Sequence, residues 1–216
     1  MFNVCPACGE YRVDKIIQQS ADGTYAICPE CEHPHPFLQL PLFIVTGASG
    51  AGKSTLVLQL SKLANDFVVM ESDILWDNRF NEPETSYRDY RETWLRMAKN
   101  IAQAGKPVVL CGTATPDQLE DCVERRYFSE IHYIALVCES GVLEERLKGR
   151  PAWRGSDSDG FIKGMIGFNQ WFIEQGQAES MPRIVAIDTS HDTSQETARK
   201  VHELICEISF RSDVIA

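Results

Sequence analysis

Apolar residues fall along the chain in two alternating patterns. Short unbroken runs at Leu42 to Val45, Phe67 to Met70, Val108 to Cys111, Tyr133 to Cys138 and Ile184 to Ile187 read as strands buried on both faces. Segments with helical spacing lie between and after them. One follows Lys53, and others run at about Tyr87 to Ala104, Pro116 to Tyr127, Val142 to Lys148, Phe161 to Gln175 and Ser194 to Phe210. Punctuation agrees with these limits. Gly105-Lys106-Pro107 stops one helix, Thr115-Pro116 opens another in N-cap and N1 register, and Thr193 with Glu196 forms a capping box before the last. Strands alternating with crossover helices predict an α/β fold, a five-stranded parallel sheet of roughly 175 residues.

The first 38 residues do not share this rhythm. Tyr11 to Ile17 and Thr24 to Ile27 have strand-like content around the turn Ala21-Asp22-Gly23. They are flanked by Cys5-Pro6-Ala7-Cys8 and Cys28-Pro29-Glu30-Cys31, two Cys-x-x-Cys pairs at the spacing of a four-thiolate zinc site. So short a segment cannot bury a sufficient core, so the metal would supply its folding energy. A redox dithiol needs only one such pair. We therefore expect a small zinc ribbon over residues 1–38, with Cys5, Cys8, Cys28 and Cys31 as ligands of a structural zinc, ahead of a larger domain over 39–216. His33 and His35 fall beyond the last pair, in a linker that Pro34, Pro36 and Pro41 keep extended. Cys111, Cys122, Cys138 and Cys206 stand singly in apolar surroundings and read as small buried hydrophobes.

Composition narrows the function classes. Of 216 residues, 21 are basic and 31 acidic, a net charge of -10, which repels a phosphate backbone over most of the surface. The ribbon itself carries two basic residues against five acidic ones, which favours bracing or contact with a protein partner over nucleic acid. No apolar run reaches the roughly 18 residues of a membrane span, and the opening Met1-Phe2-Asn3-Val4-Cys5 has no signal-peptide pattern, so a cytoplasmic protein is expected.

The most specific chemistry follows Leu42 to Val45. Gly47-Ala48-Ser49-Gly50-Ala51-Gly52-Lys53-Ser54, with Thr55 opening the helix, is a Gly-x-x-x-x-Gly-Lys-Ser phosphate loop between a buried strand and a helix. Its backbone amides converge on phosphate oxygens, Lys53 reaches the β- and γ-phosphates, and Ser54 ligates magnesium. The loop implies ATP or GTP with magnesium. A guanine-reading Asn-Lys-x-Asp is missing, as are a Ser-Gly-Gly transporter signature and a strand ending in Asp-Glu. Small size and an arginine-rich segment late in the chain point to a small-molecule kinase.

On these motifs, residues 42–210 resemble the P-loop kinases that include nucleoside monophosphate kinases, shikimate and gluconate kinases and chloramphenicol phosphotransferase. The resemblance implies that Asp73, in Glu71-Ser72-Asp73-Ile74-Leu75-Trp76, holds and deprotonates an acceptor hydroxyl. It implies a lid at about 146–163, in which Arg146 and Arg150 share a helix face, Pro151 ends the helix, and Arg150 and Arg154 close over the phosphates. It places the acceptor among Asp73, Trp76, Arg79, Tyr87, Arg88, Gly112 and Thr113, and passes the adenine by the segment Arg183 to Ser190. An aromatic ring beside arginines suits a base with a polar group. Gly112-Thr113-Ala114-Thr115-Pro116 lacks the carboxylate usual in nucleotide-phosphorylating members. The expected activity is ATP- and magnesium-dependent phosphorylation of a small hydroxylated acceptor, a nucleoside or related metabolite. A nucleoside monophosphate kinase and a nucleotide-gated adaptor whose ribbon binds protein or RNA are the alternatives.

Overall fold

The computed structural model describes residues 3–179 and 181–215. The outermost residues of the two expected domains, Met1, Phe2 and Ala216, lie outside that range. Near the N-terminus, β1 (Ile16–Ser20), β2 (Gly23–Ile27) and β3 (Pro34–Pro36) form an antiparallel sheet in that order. The turn at Ala21-Asp22 joins β1 and β2 with Ser20 opposite Gly23. The first strand begins five residues later than the Tyr11 expected. Tyr11 instead bridges Val4, Arg12 donates its amide to the Asn3 carbonyl, and Val13 and Lys15 bind the Tyr127 hydroxyl, so these backbone groups are engaged away from β2. The expected linker around His35 is a third strand, with His35 opposite Ala26. Its prolines are tolerated because it is an edge strand.

The larger sheet is the five-stranded parallel one that the apolar runs predict. It comprises β4 (Leu42–Thr46), β5 (Val68–Glu71), β6 (Val108–Cys111), β7 (Ile131–Val137) and β8 (Ile184–Asp188), in the order β5-β6-β4-β7-β8. All five residues of β4 are buried, as its central place requires. Period-two alternation then sorts the core. Leu42, Ile44, Leu110 and Tyr133 face α2 (Arg88–Ala102) and α5 (Asp159–Gln177), whereas Phe43, Val45, Val109 and Ile134 face α1 (Lys53–Leu63) and α6 (Ser194–Ile215). No helix among the described residues is long and apolar enough to cross a membrane.

One predicted helix is broken. Pro116 to Tyr127 divides into α3 (Pro116–Glu120), capped by the Thr115–Gln118 box, and a 3-10 turn at Val123–Tyr127. The Glu92 carboxylate accepts the Val123 and Glu124 amides at 2.6 and 3.0 Å, replacing the carbonyls a continuous helix would have offered. Beyond β7, α4 (Ser140–Lys148) ends at Gly149, two residues before Pro151, and a 3-10 turn at Ala152–Arg154 leads to the Ser158 cap of α5.

The small sheet is held to the large one by polar contacts. Tyr127 donates its hydroxyl to the Val13 carbonyl at 2.6 Å and accepts the Lys15 amide. Lys99 of α2, fully buried, donates to Glu124 and to the side chain of Asn3, each at 2.5 Å. Gln103 forms a two-way pair with the Leu38 backbone, and Phe37 meets the Tyr127 ring edge-on.

Candidate active site and metal centre

At the C-terminal ends of β4, β5 and β6 a cleft of about 470 Å³ opens over the phosphate loop. Ser49 to Thr55 line it, and so do Asp73, Gly112, Thr113, Arg150 and Arg154. Gly47 and Ala48 lie behind, where their carbonyls accept hydrogen bonds from the Lys53 ammonium at 2.7 and 3.0 Å. Glycine is required at position 47, since with φ at 139° a Cβ would stand 2.4 Å from the Leu136 carbonyl oxygen. Burial pushes the Lys53 pKa down to about 8, against the pull of Asp73 and with the help of Arg150. An incoming phosphate would reverse that shift.

Two further neighbours of the loop are Glu71, which was not among the expected site residues, and Arg146, expected only as a lid arginine. Ser54 donates its hydroxyl to the Glu71 carboxylate at 2.6 Å, so the last residue of β5 stands beside the expected magnesium ligand. Arg146, which also lines the cleft, binds the hydroxyl and carbonyl of Thr189 at 3.0 and 2.7 Å, and Thr189 in turn donates to Val137. That chain ties α4 to the loop after β8, and Asp192, Ser194 and Thr197 also line the cleft. Ser54 and Glu71 supply the hard oxygen donors that magnesium prefers.

Asp73 follows Ser72, whose carbonyl accepts the Tyr90 hydroxyl at 2.6 Å and the Trp94 indole at 3.1 Å. This clamp fixes Ser72 against Gly112. A Cβ at Gly112 would lie 1.8 Å from the Ser72 Oγ and 2.6 Å from its Cβ. Gly112→Ala should therefore destabilise the protein by about 1–3 kcal/mol, as other overpacked sites do, and shift Asp73. Urea unfolding of the variant checks the first effect and acceptor-dependent turnover the second. An unchanged midpoint would contradict the close approach.

Four expected acceptor residues, Trp76, Arg79, Tyr87 and Arg88, do not line the cleft. Trp76, 47% exposed, stands edge-on to Tyr87 and Tyr90. Arg79 is an exposed partner of Asp77 and lies over the Phe80 ring, and Arg88 donates to the Asp121 carbonyl. Burial and the nearby Arg154 hold Arg150 below its ordinary pKa, against the pull of Asp73.

The four N-terminal cysteines converge. Their sulfurs all lie within 4.8 Å of one another, with Cys5 to Cys31 at 3.6 Å and Cys8 to Cys28 at 3.8 Å. A tetrahedron with zinc–sulfur bonds of about 2.3 Å has edges of about 3.8 Å, so the set fits a zinc ion. The knuckles share one backbone plan. Gly9 donates to the Cys5 carbonyl and Glu32 to the Cys28 carbonyl, each at 2.9 Å. The Cys8 backbone amide does most to hold the Cys5 thiol down to about 6.

Among curated proteins, none matches the chain significantly in sequence. Solved structures do match in fold. A gluconokinase from Sinorhizobium meliloti 1021 is 19% identical at a TM-score of 0.55, over 82% of this chain and 98% of that one. Shikimate kinase from Acinetobacter baumannii is 16% identical at 0.52, over 78% and 94%. The Mycobacterium tuberculosis APS kinase is 13% identical at 0.54, over 79% and 99%. These likenesses establish the P-loop kinase fold of the large sheet. The model of one family, described as an AAA domain, covers residues 42–161, from the first residue of β4 to the opening of α5, and with more than half its length so matched the chain belongs to that AAA domain family.

Proposed function

We propose that the protein is an ATP- and magnesium-dependent kinase that phosphorylates a hydroxyl group of a small acceptor, a nucleoside or related metabolite. The observation that carries this reading is one cleft in which a phosphate loop faces a carboxylate, Asp73, with Gly112 and Thr113 beside it. In this mechanism the acceptor oxygen attacks the γ-phosphorus, the bond to the β-phosphate oxygen breaks, ADP leaves and Asp73 takes the hydroxyl proton. Lys53, Arg150 and Arg154 hold the phosphoryl oxygens as charge shifts toward the leaving group. Magnesium, held by Ser54 with Glu71 beside it, would neutralise phosphate charge. The segment at 146–163 acts as a lid that excludes water.

In the same reading residues 1–38 are a zinc ribbon and 39–216 the kinase domain. The buried contacts of Asn3, Val13 and Lys15 with Lys99 and Tyr127 favour a brace over a free recruiting module. A zinc–thiolate centre suits the reducing cytoplasm. Asp73→Asn tests the mechanism. Acceptor-dependent ATP consumption, measured across nucleosides, nucleoside monophosphates and sugar acids, should fall about 10²- to 10⁴-fold. Turnover that survives the substitution removes Asp73 as base, and phosphate released without a phosphorylated product makes the protein a nucleotidase.

A further inference from the structure

Asp73 takes the proton in the kinase reading, yet little holds its side chain in place. Among the described residues its carboxylate accepts one long hydrogen bond, from the Ser72 hydroxyl at 3.4 Å, and forms no ion pair. Its place in the cleft is therefore set by the backbone that leads into it. That backbone leaves β5 and turns at once into a 3-10 helix over Ser72–Leu75, a single turn of the kind whose hydrogen bonds have poorer geometry than those of an α-helix. It needs support from outside.

The support comes from α2. Tyr90 and Trp94 stand four residues apart on one face of that helix, and both are buried. The Tyr90 hydroxyl donates to the Ser72 carbonyl at 2.6 Å and the Trp94 indole donates to the same oxygen at 3.1 Å. A carbonyl oxygen has two lone pairs, so a single helix supplies a donor for each. Burial alone asks only that each aromatic donor find some acceptor. The other buried tyrosines find separate ones, Tyr127 the Val13 carbonyl and Tyr133 the Glu120 carboxylate.

The choice of carbonyl matters because the peptide bond is planar. The Ser72 carbonyl lies in the same rigid unit as the Asp73 amide, a unit that ends at the Asp73 Cα. Two bonds to its oxygen fix the direction from which the Asp73 side chain departs. From the other side Gly112, at the end of β6, approaches Ser72 so closely that a Cβ there would lie 1.8 Å from the Ser72 Oγ. Farther along α2, Lys99 bonds Glu124 and Asn3, so the helix that carries the two donors is itself anchored.

We propose that Tyr90 and Trp94 are positioning residues for phosphoryl transfer, which aim the Asp73 carboxylate at the acceptor hydroxyl by holding the peptide plane before it. This rests on the kinase reading of the cleft and adds to it the groups that place the base. A misplacement of about 1 Å costs a reaction about 100-fold in rate.

Tyr90→Phe tests the role, because it removes the hydroxyl and leaves the ring, which is packed against Trp76 at 5.3 Å and Phe80 at 5.5 Å. With the best acceptor, kcat is expected to fall about 10- to 100-fold. The KM for ATP and the slow hydrolysis of ATP without acceptor should not change, since Lys53 and Ser54 are untouched. Trp94→Phe, which removes the second donor, should lower the same constant. Tyr133→Phe is the control, a buried tyrosine whose hydroxyl is bonded at 2.9 Å to Glu120 instead, and it should lose stability while keeping its kcat. Hydrogen exchange at residues 72–75 should quicken in Tyr90→Phe and not in Tyr133→Phe. A wild-type kcat in Tyr90→Phe, or equal losses in Tyr90→Phe and Tyr133→Phe, reduces the two bonds to packing and overturns the proposal. Failure of the kinase reading looks different. The wild type then phosphorylates no acceptor, and exchange at 72–75 still decides the clamp, faster exchange in Tyr90→Phe upholding its grip on the turn and unchanged exchange refuting it.

Discussion

Lys53→Ala is expected to reduce phosphoryl transfer by about 10³-fold or more, the scale on which a preorganised cation or donor at a transferring phosphoryl group acts. The protein should stay folded. Among the described residues the Lys53 ammonium bonds only two carbonyls, those of Gly47 and Ala48, and it is held there at a desolvation cost that lowers its pKa to about 8. Its removal therefore deletes no ion pair and exposes no apolar core. The loop keeps its shape through Gly47 against Leu136 and through α1, whose Leu56 and Leu60 are buried under the sheet. Two measurements check this together, the unfolding midpoint and ATP consumption with the best acceptor. Transfer that persists in the variant would show that the cleft over the phosphate loop is not where the reaction occurs.

The phosphate loop was legible in the sequence because its chemistry is local, a strand, a loop and a helix joined without a break. Glu71 was not, although it stands two residues before Asp73. Its contact with Ser54 spans 17 positions and depends on where β5 ends relative to β4, with β6 between them. No spacing rule carries that information. The partnership of Arg146 with Thr189, 43 positions on, was hidden for the same reason. On the acceptor side, proximity in sequence to Asp73 suggested Trp76, Arg79 and Arg88. The helical phase of α2 instead turns Tyr90, Trp94, Leu95 and Ala98 to the core. The break after Glu120 had no such signal, because the apolar pattern stays helical to Tyr127 and only Glu92, from another helix, interrupts it.

Loss of zinc should produce the largest change in stability. Structural zinc in small four-ligand modules is bound with about 10–16 kcal/mol of apparent free energy, and the three short strands beside it bury little that could compensate. Cys5→Ser, or extraction with a strong chelator, should unfold residues 3–36. The consequences should then travel along the contacts that hold this segment. Without Asn3, Val13 and Lys15, the Lys99–Glu124 pair and the Tyr127 hydroxyl lose partners they have in the folded protein. Lys99 sits on α2, the helix whose Tyr90 and Trp94 clamp Ser72. The acceptor side should loosen first, while α1 and the phosphate loop, packed against α6 on the other face of the sheet, should not. Hydrogen exchange resolves the two faces. Faster exchange is expected in α2 and around Val123–Tyr127 and unchanged exchange in α1, with the acceptor KM rising more than the KM for ATP. Metal analysis of the untreated protein should give one zinc per chain. A value well below one, or exchange in α2 that ignores the chelator, would leave the four cysteines without the bracing role assigned to them.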